Sequence, residues 1–278
     1  MAQQKSILIT GCSSGIGRDA AVTLRARGWR VFASCRKQSD CDVLRAQGFD
    51  SPLIDYEDET TIAAGLDAVL RATDGTLDAL YNNGAYGIPG RLEDLPTEAL
   101  RAILQANVIG YHDLTRRVIP VMRAQGGGRI VNCSSVLGYT WLPWRGAYIA
   151  SKFALEGMTD VLRVELHDDP IHVSLIQPGL IDTRFSANSK GQFERWIDWE
   201  ASAKPDLYRQ KLIERWRGSG QNSTREAPAS AVTAKLIHAL EAQKPRPRYR
   251  VTGLAQLARV LTRVLPTTAA DWIIRRAE

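Results

Sequence analysis

Along the first two thirds of the chain, short apolar runs alternate with longer segments whose apolar positions recur at helical spacing. Residues 6–10 form the first run. Residues 15–27 follow with Ile16, Ala20 and Leu24 on one face, which predicts strand, turn, helix. Further short runs at 29–34, 51–54, 77–81, 129–133 and 172–176 read as strands, separated by helical segments of which 97–122 is the longest. Residues 147–166 read as the helix after the fifth strand. Such alternation predicts an α/β fold, a Rossmann-like, doubly wound parallel sheet covered by helices on both faces.

The pattern changes after Thr183. Residues 184–222 are polar, carry Trp196, Trp199 and Trp216, and are too long for a plain connection, so they predict a substrate lid. Residues 227–243 read as a further helix and 249–251 as a last strand. In 253–278, Leu254, Leu257, Leu261, Val264 and Leu265 form an apolar stripe with Arg259 and Arg263 opposite. This extension is expected to pack on the domain, the alternative being contact with an anionic membrane surface. One domain over 1–278 is expected.

Composition narrows the class. Hydrophobic residues at 44% and charged residues at 24% of 278 exclude a disordered or collagen-like chain. No uncharged apolar run approaches the roughly 18 residues of a bilayer span, and Ile7-Leu8-Ile9 is far shorter than a signal core, so a cytoplasmic location is expected. Four cysteines without a CxxC pair and four histidines without HxxxH signal neither a metal site nor a disulfide framework. The net charge of +6 is local: Lys244 to Arg276 holds eight basic residues and one acid, leaving the remainder at −1. A nucleic-acid partner is therefore not expected.

Between the first strand and first helix, Thr10-Gly11-Cys12-Ser13-Ser14-Gly15-Ile16-Gly17 spaces its glycines for a tight turn, with backbone amides open to a pyrophosphate at a helix N-terminus. A bare turn would need the same glycines. Sites for NAD place an acid about 20 residues further on, whereas a 2′-phosphate calls for arginine. Residues 28–39 hold no acid, and Arg36 and Lys37 sit where the second strand ends, which favours NADP(H) over solvated loop charges. Tyr148 and Lys152, four apart in a helical segment, share one face. Ser135 ends the fifth strand, and Asn107 lies mid-helix, where asparagine is a poor helix former. Four polar residues at the carboxyl ends of strands occupy the ligand position of open α/β sheets.

With these residues the chain resembles the short-chain dehydrogenase/reductase family over residues 5–183. Gly11, Gly15 and Gly17 match its TGxxxGxG, Asn107 its helix asparagine, Ser135 its serine, Tyr148 and Lys152 its YxxxK, and Pro178-Gly179 with Thr183 its PGxxxT. One departure is Asn82-Asn83-Gly84-Ala85 in place of NNAG, which shifts the permissive backbone position near the adenine ribose. The resemblance implies that Ser13 and Arg36, with Lys37, hold the 2′-phosphate, and that Asp55 contacts the adenine. It likewise implies that Ser14, Gly15, Ile16 and Asn83 line the dinucleotide, and that Ile181 and Thr183 meet the carboxamide. The NNGA order, Cys35-Arg36-Lys37 and the late Lys244 to Tyr249 segment resemble the NADP(H)-preferring aldehyde reductase, retinol dehydrogenase and 17β-hydroxysteroid dehydrogenase branch.

The chemistry so implied is carbonyl–alcohol interconversion. Tyr148 is the proton donor or base, Lys152 binds the nicotinamide ribose, Ser135 donates to the substrate oxygen, and Asn107 holds a water linking Lys152 to solvent. A lysine about 4 Å away at an effective dielectric near 20 is worth roughly 4 kcal/mol, up to about three pKa units on the phenol. Phe185, Phe193, Trp141, Trp144, Trp196 and Trp199 suggest a bulky apolar carbonyl, with ordinary packing as the alternative. Relatives form homodimers or homotetramers through the two long helices. A non-catalytic NADP(H)-binding regulator or redox sensor is the rival reading, against which stands the complete set of four site residues.

Overall fold

The computed structural model describes residues 4–214, 216 and 226–276. Strand β1 (Ser6–Ile9) is buried along its whole length. It pairs in parallel with β2 (Arg30–Ala33) on one side and β3 (Ala79–Asn82) on the other. Beyond β3 follow β4 (Gly128–Cys133), β5 (Ile171–Gln177) and the short β6 (Arg248–Arg250), all parallel, in the order β2-β1-β3-β4-β5-β6. The chain leaves β1 in one direction and returns to its other side for β3. That reversal opens a crevice at the carboxyl ends of β1 and β3, the ligand position of such sheets.

Both faces of the sheet are covered, so its strands read as continuous apolar runs. Ile7, Ile9, Val31 and Tyr81 pack with Ala20 and Leu24 of α1 (Gly15–Ala26) and with Val232 and Leu236 of the later helix Ala229–Glu241. Leu8, Phe32, Leu80 and Ile130 face the opposite layer. That layer holds α3 (Glu59–Ala72), the long helix α4, and α5 (Gly146–Glu165). Helix α2 (Gln38–Ala46) follows β2.

Helix α4 runs through Thr97–Leu104, a π turn over Gln105–Ile109, and Gly110–Ala124. The sequence reading placed a single helix over 97–122, and the π turn falls on Asn107. A π turn widens the helix by one residue and recurs at functional sites.

One expectation is corrected. Residues 51–54 are not a strand: Phe32↔Asp50 and Cys35↔Leu53 are isolated bridges beside β2. Ala33 N donates to Asp50 O and Ile54 N to Cys35 O, but Pro52 between them has no N–H to extend a ladder. The C-terminal segment packs on the domain, as expected, but through one side only. Helices α9 (Gly253–Val264) and α10 (Thr267–Arg276) form a hairpin that buries Ala255 and Ala270 and leaves Leu254, Leu257 and Val264 exposed. Residues 277 and 278 of the predicted extension lie outside the described residues.

Within the predicted lid, α6 (Phe185–Trp196) and α7 (Pro205–Tyr208) are followed by a π turn over Arg209–Ile213; residues 215 and 217–222 lie outside the described ones. Phe193 and Tyr208 are buried in the core, and Trp196, Trp199 and Trp216 pack against it. Most of the lid's aromatic content is thus structural. The helix between the lid and β6, α8 (Ala229–Glu241), starts two residues later than the pattern suggested, with Pro228 at its N-cap. Among the described residues no helix is long and apolar enough to cross a membrane.

Candidate active site

The turn after β1 is made by glycines in left-handed backbone, Gly11 at φ 69° and Gly15 at φ 57°. A Cβ on Gly11 would lie 2.6 Å from Gly84 Cα, and one on Gly17 would collide with the Gly11 carbonyl and lie 2.7 Å from Asn83 Nδ2. Asn83 closes this packing by donating from Nδ2 to Thr10 O at 3.0 Å. Gly84 has no left-handed backbone and is required for close approach to Gly11. The shifted glycine of Asn82-Asn83-Gly84-Ala85 therefore serves packing, and the expected shift of a permissive backbone position does not occur.

Helix α1 starts at Ser14, whose side chain makes no cap, and its first turn holds no acid. By contrast α3 is capped by Asp58, which accepts from Thr60 N at 2.9 Å. An uncapped helix N-terminus behind a glycine turn presents unpaired N–H groups and a positive dipole end, which fits a pyrophosphate. Gly17→Ala is expected to destabilise the fold by about 1–3 kcal/mol through overpacking and to abolish nucleotide binding. Thermal unfolding and NADPH fluorescence titration check it; unchanged affinity would refute the cradle.

At the end of β2, Arg36 and Lys37 are exposed, as is Ser13 in the glycine turn. The Arg36 guanidinium stands 5.9 Å from the Tyr86 ring. Asp55 is anchored by its backbone N, which donates to Thr61 Oγ1 at 2.9 Å, and its carboxylate accepts from Glu57 N.

At the other end of the crevice, Ser135 follows β4 and Tyr148 stands one turn inside α5. Ser135 Oγ accepts from Leu137 N at 3.1 Å and stands beside the Tyr148 phenol. Burial dominates the phenol and pushes its pKa up, opposed by neighbouring Ser135 and Arg145. Lys152, one turn later, is buried and donates from Nζ to Cys133 O at 2.7 Å. Its Nζ sits 5.3 Å from the Tyr111 ring and 5.6 Å from the Tyr148 ring. Burial lowers its pKa to about 8 against the fields of Cys133 and Glu156. Desolvation dominates both groups, and the ammonium is engaged by the Cys133 carbonyl.

Asn107 lies fully buried in the π turn. Its Nδ2 donates to Tyr86 O at 2.9 Å and Ser151 Oγ at 3.1 Å, and its Oδ1 accepts from Tyr86 N. Ser151 in turn donates to Tyr148 O at 2.7 Å. The side chain thus ties α4, the loop after β3 and α5 together.

After β5, Pro178 O accepts from Val136 N at 2.8 Å, which joins the proline-glycine turn to the segment after Ser135. Gly179 lies against Thr252, the N-cap of α9. Ile181 bridges Ala227, and the Thr183 side chain approaches Gly15 so closely that a Cβ there would lie 3.0 Å from Thr183 Cγ2. The predicted residues of the glycine turn and of this segment thus face each other across the crevice.

The chain matches the short chain dehydrogenase family over residues 5–193. It belongs to that family. Among its relatives, "Uncharacterized oxidoreductase YbbO" of Escherichia coli K12 is 39% identical and covers 98% of this chain and 94% of its own length. Retinol dehydrogenase 16 of Homo sapiens is 32% identical, covering 98% and 88%. Of solved structures, a short chain dehydrogenase/reductase from Burkholderia phymatum in complex with NAD superposes with a TM-score of 0.76 at 25% identity, covering 93% and 92%. The protein is accordingly an oxidoreductase with a nicotinamide-binding fold.

Sequence reasoning named Phe185 and Trp144 only as apolar pocket candidates and missed Tyr56 and Tyr111 altogether. Phe185 makes an edge-on contact with Tyr148, ring centroids 5.2 Å apart, and is the lid aromatic nearest the chemistry. Tyr111 lies beneath the Lys152 ammonium. Trp144 is held at φ 66° beside the Gly90 N to Trp144 O bond, a strained conformation for a bulky residue four positions before Tyr148. Tyr56 Oη donates to Asn82 Oδ1 at 2.7 Å, and Asn82 continues to Thr115 and Asn132, a polar chain under the crevice. No local spacing signals any of these.

Proposed function

We propose that the protein is an NADP(H)-dependent oxidoreductase that interconverts a lipophilic carbonyl and its alcohol. The observation that carries this reading is the convergence of Ser135, Tyr148 and Lys152 at one end of the crevice, with Ser135 beside the Tyr148 phenol and the Lys152 Nζ 5.6 Å from its ring. The glycine cradle Gly11, Ser13, Ser14, Gly15, Ile16 and Gly17, with Asn83 and Asp55, would hold the dinucleotide, and Pro178, Gly179, Ile181 and Thr183 its nicotinamide end.

The nicotinamide, when bound and reduced, supplies the hydride. Tyr148 Oη gives its proton to the carbonyl oxygen as negative charge develops there, and Ser135 donates a hydrogen bond to the same oxygen. Lys152 keeps a positive charge beneath the phenol and offers its N–H groups to the ribose hydroxyls. Asn107 acts through α4 and α5, holding the helix turn that carries Tyr148. Burial keeps the phenol protonated at neutral pH, which favours the reductive direction.

Arg36 and Lys37 support the choice of NADP(H), since no acid follows β2 before Asp40 in α2. A structural relative from Burkholderia cenocepacia was solved in complex with NADP, at a TM-score of 0.74 and 23% identity; its likeness concerns the fold alone. Losing two charge-assisted phosphate contacts of roughly 1.5–3 kcal/mol each predicts a rise of at least tenfold in the KM for NADPH in Arg36→Ala/Lys37→Ala. The KM for NADH is expected to stay unchanged. Equal loss with both cofactors would overturn the assignment.

For the substrate, an open depression of about 580 Å³ reaches Gly146, two residues before Tyr148, and is lined by Leu92, Leu142, Trp144 and Leu207 together with the charged Arg91, Glu93 and Lys211. Phe185 adds an apolar wall at Tyr148 itself. The name retinol dehydrogenase 16 points to the same lipophilic class. Initial rates on a panel of aldehydes, retinoids and ketosteroids with NADPH test the reading; activity confined to small sugars would overturn it. Self-association through α4 and α5 is supported by the exposed Phe153, Val161 and Val164 on α5.

A further inference from the structure

Among the described residues, α5 and the C-terminal hairpin each leave several large apolar side chains in water. The face on α5 is already assigned above to self-association. On the α9–α10 hairpin, Leu257 is 55% exposed, Val260 58%, Val264 74% and Trp272 52%. On α9 these aliphatic residues lie opposite the arc that holds Ala255 and Thr262, so the helix turns its small-residue side to the protein and its large-residue side outward. A surface helix of a self-contained domain does the reverse.

The hairpin is nonetheless firmly seated. Tyr139 Oη donates to Ala255 O at 2.7 Å, Trp141 Nε1 donates to Asp271 Oδ1 at 2.9 Å, and Thr252 caps α9 against Gly179. Its outward apolar face is therefore held in place and is not a frayed end. Tyr139 and Trp141 belong to the segment that follows Ser135, and Gly179 to the turn after β5, so the hairpin sits on the rim of the crevice.

Charge selects what covers this face. The hairpin carries Arg259, Arg263, Arg275 and Arg276 against one acid, Asp271, which is bound to Trp141. Arg263, Arg275 and Arg276 are exposed, and the Arg276 guanidinium stacks 3.9 Å from the Trp272 ring. A second copy docking here by a twofold axis would bring the same arginines face to face, which repels. An anionic lipid surface offers the opposite: acyl chains for the leucine and valine face, a headgroup layer for Trp272, and phosphates for the arginines. We propose that the α9–α10 hairpin docks the protein on an anionic membrane surface, with the crevice rim beside the bilayer.

The test uses the full chain and extruded phosphatidylcholine vesicles with and without phosphatidylglycerol, read by co-sedimentation. The wild-type chain is expected to sediment with the anionic vesicles, to remain in solution with the neutral ones, and to be released by high salt. The double variant Leu257→Glu/Val260→Glu is expected to lose roughly a hundredfold in vesicle affinity. The triple variant Arg263→Gln/Arg275→Gln/Arg276→Gln is expected to lose roughly a hundredfold through the charge contribution alone. All five positions are exposed, so both variants are expected to keep the wild-type Tm, NADPH affinity and turnover of a water-soluble aldehyde.

Failure of the wild-type chain to bind anionic vesicles would overturn the proposal. So would double-variant binding equal to wild type. A drop in oligomeric state of the double variant by sedimentation velocity, without vesicle binding by the wild type, would assign the face to a second copy and equally overturn it. None of these readouts depends on the substrate, so a failure here is distinct from a failure of the proposed reaction.

Discussion

Tyr148→Phe is expected to lower the rate of NADPH-dependent carbonyl reduction by roughly 10³-fold, within the range that a positioned general acid contributes. The substitution removes the hydroxyl and little else. The ring contact with Phe185 at 5.2 Å survives, as does the bond from Ser151 Oγ to the Tyr148 carbonyl. What is lost is a buried hydroxyl beside Ser135, a change of about 1 kcal/mol in stability at most. NADPH affinity by fluorescence titration is therefore expected to remain at the wild-type value while turnover collapses. Turnover near wild type would remove Tyr148 from the chemistry, and a parallel loss of NADPH affinity would make its role structural.

The second large effect concerns a buried cation. Lys152 has its pKa lowered from 10.5 to about 8, with burial the leading cause. Between those values the unfolded chain holds a proton that the folded chain has released, so the contribution of Lys152 to stability rises with pH across the window. Below about pH 8 both states are protonated, and the folded state carries a penalty of about 3 kcal/mol. In Lys152→Met the cofactor-free chain escapes that penalty and loses the bond to Cys133 O, worth about 1 kcal/mol. The variant is thus expected to be about 2 kcal/mol more stable than wild type at pH 7 and slightly less stable by pH 10.5. Urea unfolding of both proteins across this range reads the crossing. A gap that does not change with pH would show that the ammonium is not desolvated as the fold implies. Since the same residue is proposed to serve the ribose and the phenol, reductive turnover is expected to fall in the variant that folds more stably. Such an opposition is common where an active site stores unfavourable burial.

Much of this protein is written in local pattern. The glycines at 11, 15 and 17, the absence of an acid before Asp40, and the four-residue step from Tyr148 to Lys152 are consequences of backbone geometry over a few residues, and they stand in the structure where the spacing puts them. The doubly wound sheet follows from the alternation of apolar runs and helical segments, because each strand must be buried on both faces. Asn107 as a poor helix former mid-helix pointed to the irregularity that became the π turn.

What lay beyond reach depends on segments distant in sequence. The contact of Phe185 with Tyr148, the engagement of Asn107 by Tyr86 and Ser151, and the burial that sets the Lys152 charge all arise from packing across 20 to 44 positions or from total enclosure. Residues 51–54 had a strand's composition, yet Pro52 and the position beside β2 left only bridges. The apolar stripe of α9 was visible as periodicity, but periodicity has no inside or outside. Only the seating of Ala255 and Asp271 on the segment after Ser135 turned that stripe away from the core, because which face of an amphipathic helix is buried is decided by its partner and not by the helix.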